Sequence, residues 1–197
     1  MRLRFVAVLM AFFAATGLSA CATPDPVTKF PDLRYVHKGD ITLQVGAVDI
    51  ASQYEAPLKA PNVEHLFPVP PERAARNWAE DRLKATGVGG FTARFVILDA
   101  SAVMEKIKTQ KGLTGFVTNE QAEKYTVNLD VALEIRDAQR RVVAQTTAKS
   151  SISRTVAEDA SLADRERIWF SLVETLMNNI DPQMDTGIRQ YLADYVQ

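Results

Sequence analysis

Cysteine and histidine are nearly absent from this chain. Its 197 residues include one cysteine, Cys21, and two histidines, His37 and His65. A lone cysteine closes no intramolecular disulfide, so stability must come from packing. One cysteine and two scattered histidines make no zinc-ligand spacing, and no metal is expected. Leu66 follows His65, which excludes the His-Glu-x-x-His metalloprotease pattern. No Gly-x-Ser-x-Gly nucleophile turn exists either. Clustered positive charge is also missing: 23 Lys and Arg face 24 Asp and Glu. That balance lacks the basic footprint of a nucleic-acid-binding protein. Long apolar runs are scarce. Residues 5–17 form the only one, and it is shorter than the ~20 residues a membrane span needs.

What stands around that run is informative. Arg2 and Arg4 precede it, and small residues lead from it to Cys21. Charge, short apolar core and small residues, in that order, read as a secretory signal peptide. Leu18-Ser19-Ala20-Cys21 resembles the lipobox of bacterial lipoproteins. The resemblance implies a diacylglycerol on the Cys21 thiol, cleavage just before that residue, and acylation of the new amino group. No cofactor beyond these covalent chains is expected. Anchoring by two or more chains is stable, because each buried CH2 contributes ~0.8 kcal/mol. In such lipoproteins an aspartate after the cysteine retains the protein at the inner membrane. Ala22 stands there instead, which implies the outer membrane, facing the periplasm. With residues 1–20 removed, 177 residues remain, carrying 21 basic and 24 acidic side chains for a net charge of −3. That length suits one domain with a proper core.

Residues 21–39 contain Pro24, Pro26 and Pro31 and read as an extended tether; residues 40–197 then form a single domain. Apolar alternation at Ile41, Leu43, Val45 and Ala47 predicts a strand. Residues 53–71 carry five prolines and read as an irregular connection. A helix is predicted over 71–86, with proline at its start and Ala75, Trp78, Ala79 and Leu83 as its buried stripe. Gly87, Gly89 and Gly90 are expected to stop it. They do not form a phosphate loop, because such a loop leaves a strand and enters a helix. A strand over 91–98 is expected to run on through 102–107. Residues 109–123 read as a polar loop. The clearest strand is 125–135, where six apolar residues alternate with polar ones, as in an antiparallel sheet with one wet face. Residues 137–140 form a turn, and 142–155 return as the second arm of a hairpin. Ser161 or Asp164 caps a last helix. Its stripe of Ile168, Trp169, Leu172, Val173, Leu176, Met177 and Ile180 reads as core, and Asp181-Pro182 is expected to interrupt it.

The order β-α-β-β-β-α argues an α+β fold of two layers, a mainly antiparallel sheet with helices packed on one face. Order and anchor together resemble several small envelope lipoproteins. These are the auxiliary lipoproteins of ABC-type lipid transport systems, the outer-membrane activators of penicillin-binding proteins, and curli-assembly-type lipoproteins. The resemblance is one of layout over residues 40–195 and rests on no diagnostic motif. It implies a membrane-anchored, non-enzymatic adaptor or auxiliary subunit of an envelope protein complex. The alternative is a lipid- or glycan-binding carrier with an apolar pocket between helices and sheet.

Adjacent carboxylates at Glu80-Asp81 and Glu158-Asp159 point apart on a regular element and read as solvated surface. Two loop segments remain as candidate partner-binding surfaces: Leu113 and Phe116, and His65 with Phe67 in the proline-rich connection. Apolar residues on loops over a rigid scaffold suit recognition; the other reading is that both loops fold back over the sheet.

Overall fold

The structure is a computed structural model and describes residues 29–107, 121–157 and 159–197. Two short strands come first, β1 (Ile41–Leu43) and β2 (Val48–Ser52), where a single strand over 41–47 was expected. The chain bends between them because Gln44, Gly46 and the Val45 N–H leave the ladder. Gln44 donates to the Tyr195 carbonyl, Val45 back to Leu43, and Gly46 to Phe91. Helix α1 (Pro71–Arg82) follows, then β3 (Leu83–Ala85), β4 (Thr92–Asp99), β5 (Ala102–Lys106), β6 (Gln121–Arg136), β7 (Val142–Ala157) and α2 (Leu162–Tyr191). The expected α+β class holds, with the order β-β-α-β-β-β-β-β-α.

Most strand pairing is antiparallel, as expected. Strand β7 pairs with β6 along its whole length. The other edge of β6 takes β4 against residues 130–136 and β5 against residues 123–127. So β4 and β5 are one strand with a break, as the sequence suggested. The break is local: Asp99 Oδ1 accepts from the Ser101 N–H at 3.0 Å, and Ser101 returns to β6 through the Asn128 N–H at 2.8 Å. Strand β2 joins β4 in parallel, and β1 and β3 form a separate parallel pair.

That second pair corrects the helix boundary. Helix α1 was expected to reach residue 86 but ends at Arg82. Leu83 turns extended and pairs with Ile41, and both are buried. Tertiary pairing here outweighs helix propensity, which is a weak prior over one turn. The glycines therefore shape the β3–β4 connection rather than end a helix. Gly87 and Gly89 have φ of 77° and 111°, conformations that favour glycine.

The core lies between the helices and one face of the sheet. Tyr125, Val127, Leu129, Val131, Leu133 and Ile135 of β6 and Ala93, Phe95 and Ile97 of β4 are buried, as the alternation predicted. From α2, Trp169, Leu172, Val173, Leu176, Met177 and Ile180 meet them. Helix α2 begins with a capping box in which Ser161 Oγ accepts from the Asp164 N–H and Asp164 caps the Ser161 N–H.

Pro182 does not interrupt α2, which runs unbroken to Tyr191. Met184 and Ile188 continue the buried stripe past the proline at 0% exposure. The preceding Asp181 is tied down by Trp78 Nε1 at 2.8 Å and Lys38 Nζ at 3.3 Å. Large side chains buried on both sides of Pro182, each worth ~1.5–3 kcal/mol, offset its missing hydrogen bond and clash of ~3 kcal/mol. Among the described residues no helix is long and apolar enough to cross a membrane.

Candidate functional site

The proline-rich connection is held in place by one buried carboxylate. Glu64 opens a short 3-10 turn, Glu64–Leu66, and is 3% exposed. It accepts from the Tyr54 hydroxyl at 2.8 Å and from the Ala102 N–H at the start of β5 at 3.1 Å. Burial alone would raise its carboxyl pKa; the hydrogen bonds from Tyr54, the backbone and Asn62 outweigh burial and hold it below the usual glutamate range. On either side, the Val63 N–H donates to the Ala102 carbonyl and the Met104 N–H to that of Pro61. The connection thus adds an irregular edge to β5.

The turn presents His65 and Leu66 to solvent, Leu66 being 52% exposed. Phe67, named from sequence as a surface residue for a partner, is a core residue instead. It is 4% exposed and stacks on Trp169 with ring centroids 5.1 Å apart, while Tyr125 meets Trp169 edge-on at 5.5 Å. An aromatic ring in a proline-rich segment without periodicity has no face of its own to read from sequence, and here the exposed apolar position is its neighbour Leu66. The other candidates, Cys21, Leu113 and Phe116, lie outside the described residues.

The second half of the expected tether is docked on the body. Tyr35 is buried, and its N–H donates to Asp81 Oδ2 at 2.7 Å. Arg34 pairs with the same carboxylate, and Asn77 Nδ2 reaches the Leu33 carbonyl at 3.1 Å. Phe30 stacks near Phe170 of α2 at 5.2 Å. Asp81 is therefore no solvated carboxylate, although its neighbour Glu80 is exposed. Burial opposes its ionisation, and the bonds from Arg34 and Tyr35 overcome that and lower its pKa. Asp181 and Asp185 likewise serve structure, holding Trp78, Lys38 and the buried Arg82. Sequence gave no sign of these roles, because each needs a partner 40 or more residues away.

The centre of the space between helices and sheet is filled, and an open groove of about 380 Å3 remains at the edge where α2 near Gly187 crosses β7 at Thr146 and Thr147. Trp78, Phe95, Leu129, Leu133, Leu172, Leu176 and Met177 are all under 2% exposed in that centre. Among the described residues no group of three or more His, Cys, Asp or Glu side chains converges as a metal site would need.

No family model matches the chain, and no curated protein matches it. Among solved structures it is similar to rare lipoprotein B from Shewanella oneidensis, at 13% identity over 71% of this chain and 92% of that one, with a TM-score of 0.34. It is also similar to a minor lipoprotein from Acinetobacter baumannii, at 12% identity over 78% of this chain and 96% of that one, with a TM-score of 0.35. A Xanthomonas campestris protein of the DUF330 family model shares 11% identity over 81% of this chain and 94% of its own, with a TM-score of 0.31.

Proposed function

We propose that this chain is a lipid-anchored lipoprotein of the bacterial envelope, acting without catalysis as an adaptor or auxiliary subunit of a complex that moves lipids or builds the envelope. The observation that carries the reading is Leu18-Ser19-Ala20-Cys21 at the end of a short apolar run, ahead of one α+β body. Ala22 after the cysteine favours the outer membrane, facing the periplasm. The docking of Tyr35 and Arg34 on α1 suits an anchored adaptor, because only a short spacer then separates lipid from body and the body's reach from the membrane is limited. The filled centre of the core favours protein contact over carriage of a lipid or glycan inside it. His65, with Leu113 and Phe116, supplies the proposed partner contacts.

Crosslinking in cells, followed by purification of the lipidated protein and mass spectrometry of proteins and lipids, tests this. Transporter or envelope-synthesis subunits are the expected recovery, lost in Phe116→Asp at unchanged melting temperature. Stoichiometric lipid with no protein partner would transfer the assignment to a carrier. Catalytic turnover by the pure protein would overturn it.

A further inference from the structure

The outer face of the sheet, away from the helices, opens at one end into a cleft of about 640 Å3. Ile50 and Ala51 of β2, Arg94 of β4, Arg136 at the end of β6 and Arg140 in the β6–β7 turn help line it. Three arginines, one from β4 and two from the β6–β7 hairpin end, thus line one opening.

The local carboxylates are mostly committed elsewhere. Glu134 sits in register with Arg94 across the β4–β6 ladder, but its Oε2 accepts from Arg136 at 2.9 and 2.6 Å. Asp137 spends both oxygens on the turn. One accepts from the N–H groups of Gln139 and Arg141 at 2.9 Å, and the other from the Arg141 guanidinium at 2.8 Å. Asp49 and Asp137 line the cleft as well; Asp49 stands in register with Arg94 on its other side without closing an ion pair, so one unpaired carboxylate faces two unpaired guanidiniums there. Among the described residues, neither Arg94 nor Arg140 has an ion-pair partner, so the cleft keeps a net positive charge. Arg140 also occupies a left-handed backbone position, with φ of 63°, where glycine or asparagine would fit more cheaply. Of the two arginine side chains only that of Arg141 is bonded within the turn; the Arg140 N–H donates to the Asp137 carbonyl at 2.9 Å, and its side chain lines the cleft.

We propose that this cleft binds a phosphate group, held by the guanidiniums of Arg94 and Arg140. A guanidinium is planar, permanently charged and forks onto two phosphate oxygens at once. Two unpaired guanidiniums against one unpaired carboxylate favour an anion over a cation. The cleft is larger than a phosphate; the backbone of β2 at Ile50 and Ala51 and the side chain of Ala51 line the remainder, while the Ile50 side chain packs on the core. The site does not depend on the adaptor reading: partner recovery in cells and phosphate binding in solution can each fail alone.

The test titrates the purified full chain with inorganic phosphate, with dihexanoyl phosphatidic acid, and with dihexanoylglycerol as the uncharged control. Saturable binding is expected for at least one phosphate compound and not for dihexanoylglycerol. Arg94→Gln/Arg140→Gln should weaken it at least tenfold with the melting temperature unchanged. Lys149→Gln should leave it intact, since that exposed lysine on the same face is already paired with Asp130 at 3.0 Å. Tighter binding of the phosphatidic acid marks a lipid-borne phosphate, and equal binding a free one. Absence of saturable binding, equal binding by the double variant, or equal weakening by Lys149→Gln would overturn the proposal. If the double variant fails to melt cooperatively, Arg140→Gln alone, in an exposed turn, carries the same test.

Discussion

Gly187 sets how closely α2 approaches β7. A Cβ placed there would lie 2.1 Å from Thr146 Oγ1 and 3.3 Å from Thr146 Cβ. Thr146 is itself buried, so its hydroxyl has little room to swing away. Overpacking of this kind costs ~1–3 kcal/mol, against a helix-propensity gain of ~1 kcal/mol for replacing glycine. Gly187→Ala should therefore lower stability, by up to ~2 kcal/mol net. Thr146→Ala added to it should restore much of the loss, because it removes the nearest atom. Chemical denaturation of the two single variants and the double one gives the coupling; strict additivity would show that Gly187 is not a contact glycine. Nothing in the sequence around Gly187 announces this role. A helical glycine looks the same whether it faces water or a strand, and only the register of α2 on β7 decides.

At the scale of elements, the proline-rich connection illustrates how a segment without periodicity is fixed by one side chain. Glu64 ties the turn that carries His65 and Leu66 to the start of β5. Its folded pKa is depressed. Its contribution is thus complete above the unfolded glutamate value of ~4.3 and is lost as pH falls through the lower folded value. Glu64→Gln should cost ~1–3 kcal/mol near neutral pH, the range for disturbing a buried hydrogen-bonded group. It should also flatten the fall in melting temperature below about pH 4, where the wild-type carboxylate is being protonated. Parallel acid profiles for the two proteins would remove Glu64 from this role. The β6–β7 hairpin and the stripe of α2 were legible because each repeats its period many times. The end of α1, the split of 41–47 into β1 and β2, and the passage of α2 through Pro182 were not. In each, a local signal of one or two residues competed with pairing or packing from elsewhere: Ile41 against Leu83, Tyr195 against Gln44, and Met184 and Ile188 against the sheet.

For the whole molecule, the lipobox resemblance makes one sharp prediction. Cys21→Ser removes the thiol that would carry the diacylglycerol. The expected product is an uncut, unlipidated precursor, visible as slower migration and loss of acyl chains by mass spectrometry. Normal processing of that variant would refute the anchor. Since Phe30, Tyr35 and Arg34 already contact the body, any free spacer between anchor and domain is shorter than the 21–39 tether read from sequence. In the proposed adaptor reading such a spacer would hold the body near the membrane surface; Asp81 joins the end of the tether to the domain.

By itself the sequence determined the candidate anchor at Cys21, the class of the fold, and which face of β6 and α2 is buried. These rest on local order or on periodicity, and both are properties of adjacent residues. The tertiary structure decided where α1 stops, that Phe67 is core and Leu66 is not, that Asp81 and Glu64 are structural, and that Arg94, Arg136 and Arg140 share a cleft. Each of these depends on groups far apart in the chain being brought within contact distance. A carboxylate or a ring carries no mark of whether its partner will be water or a residue 40 positions away.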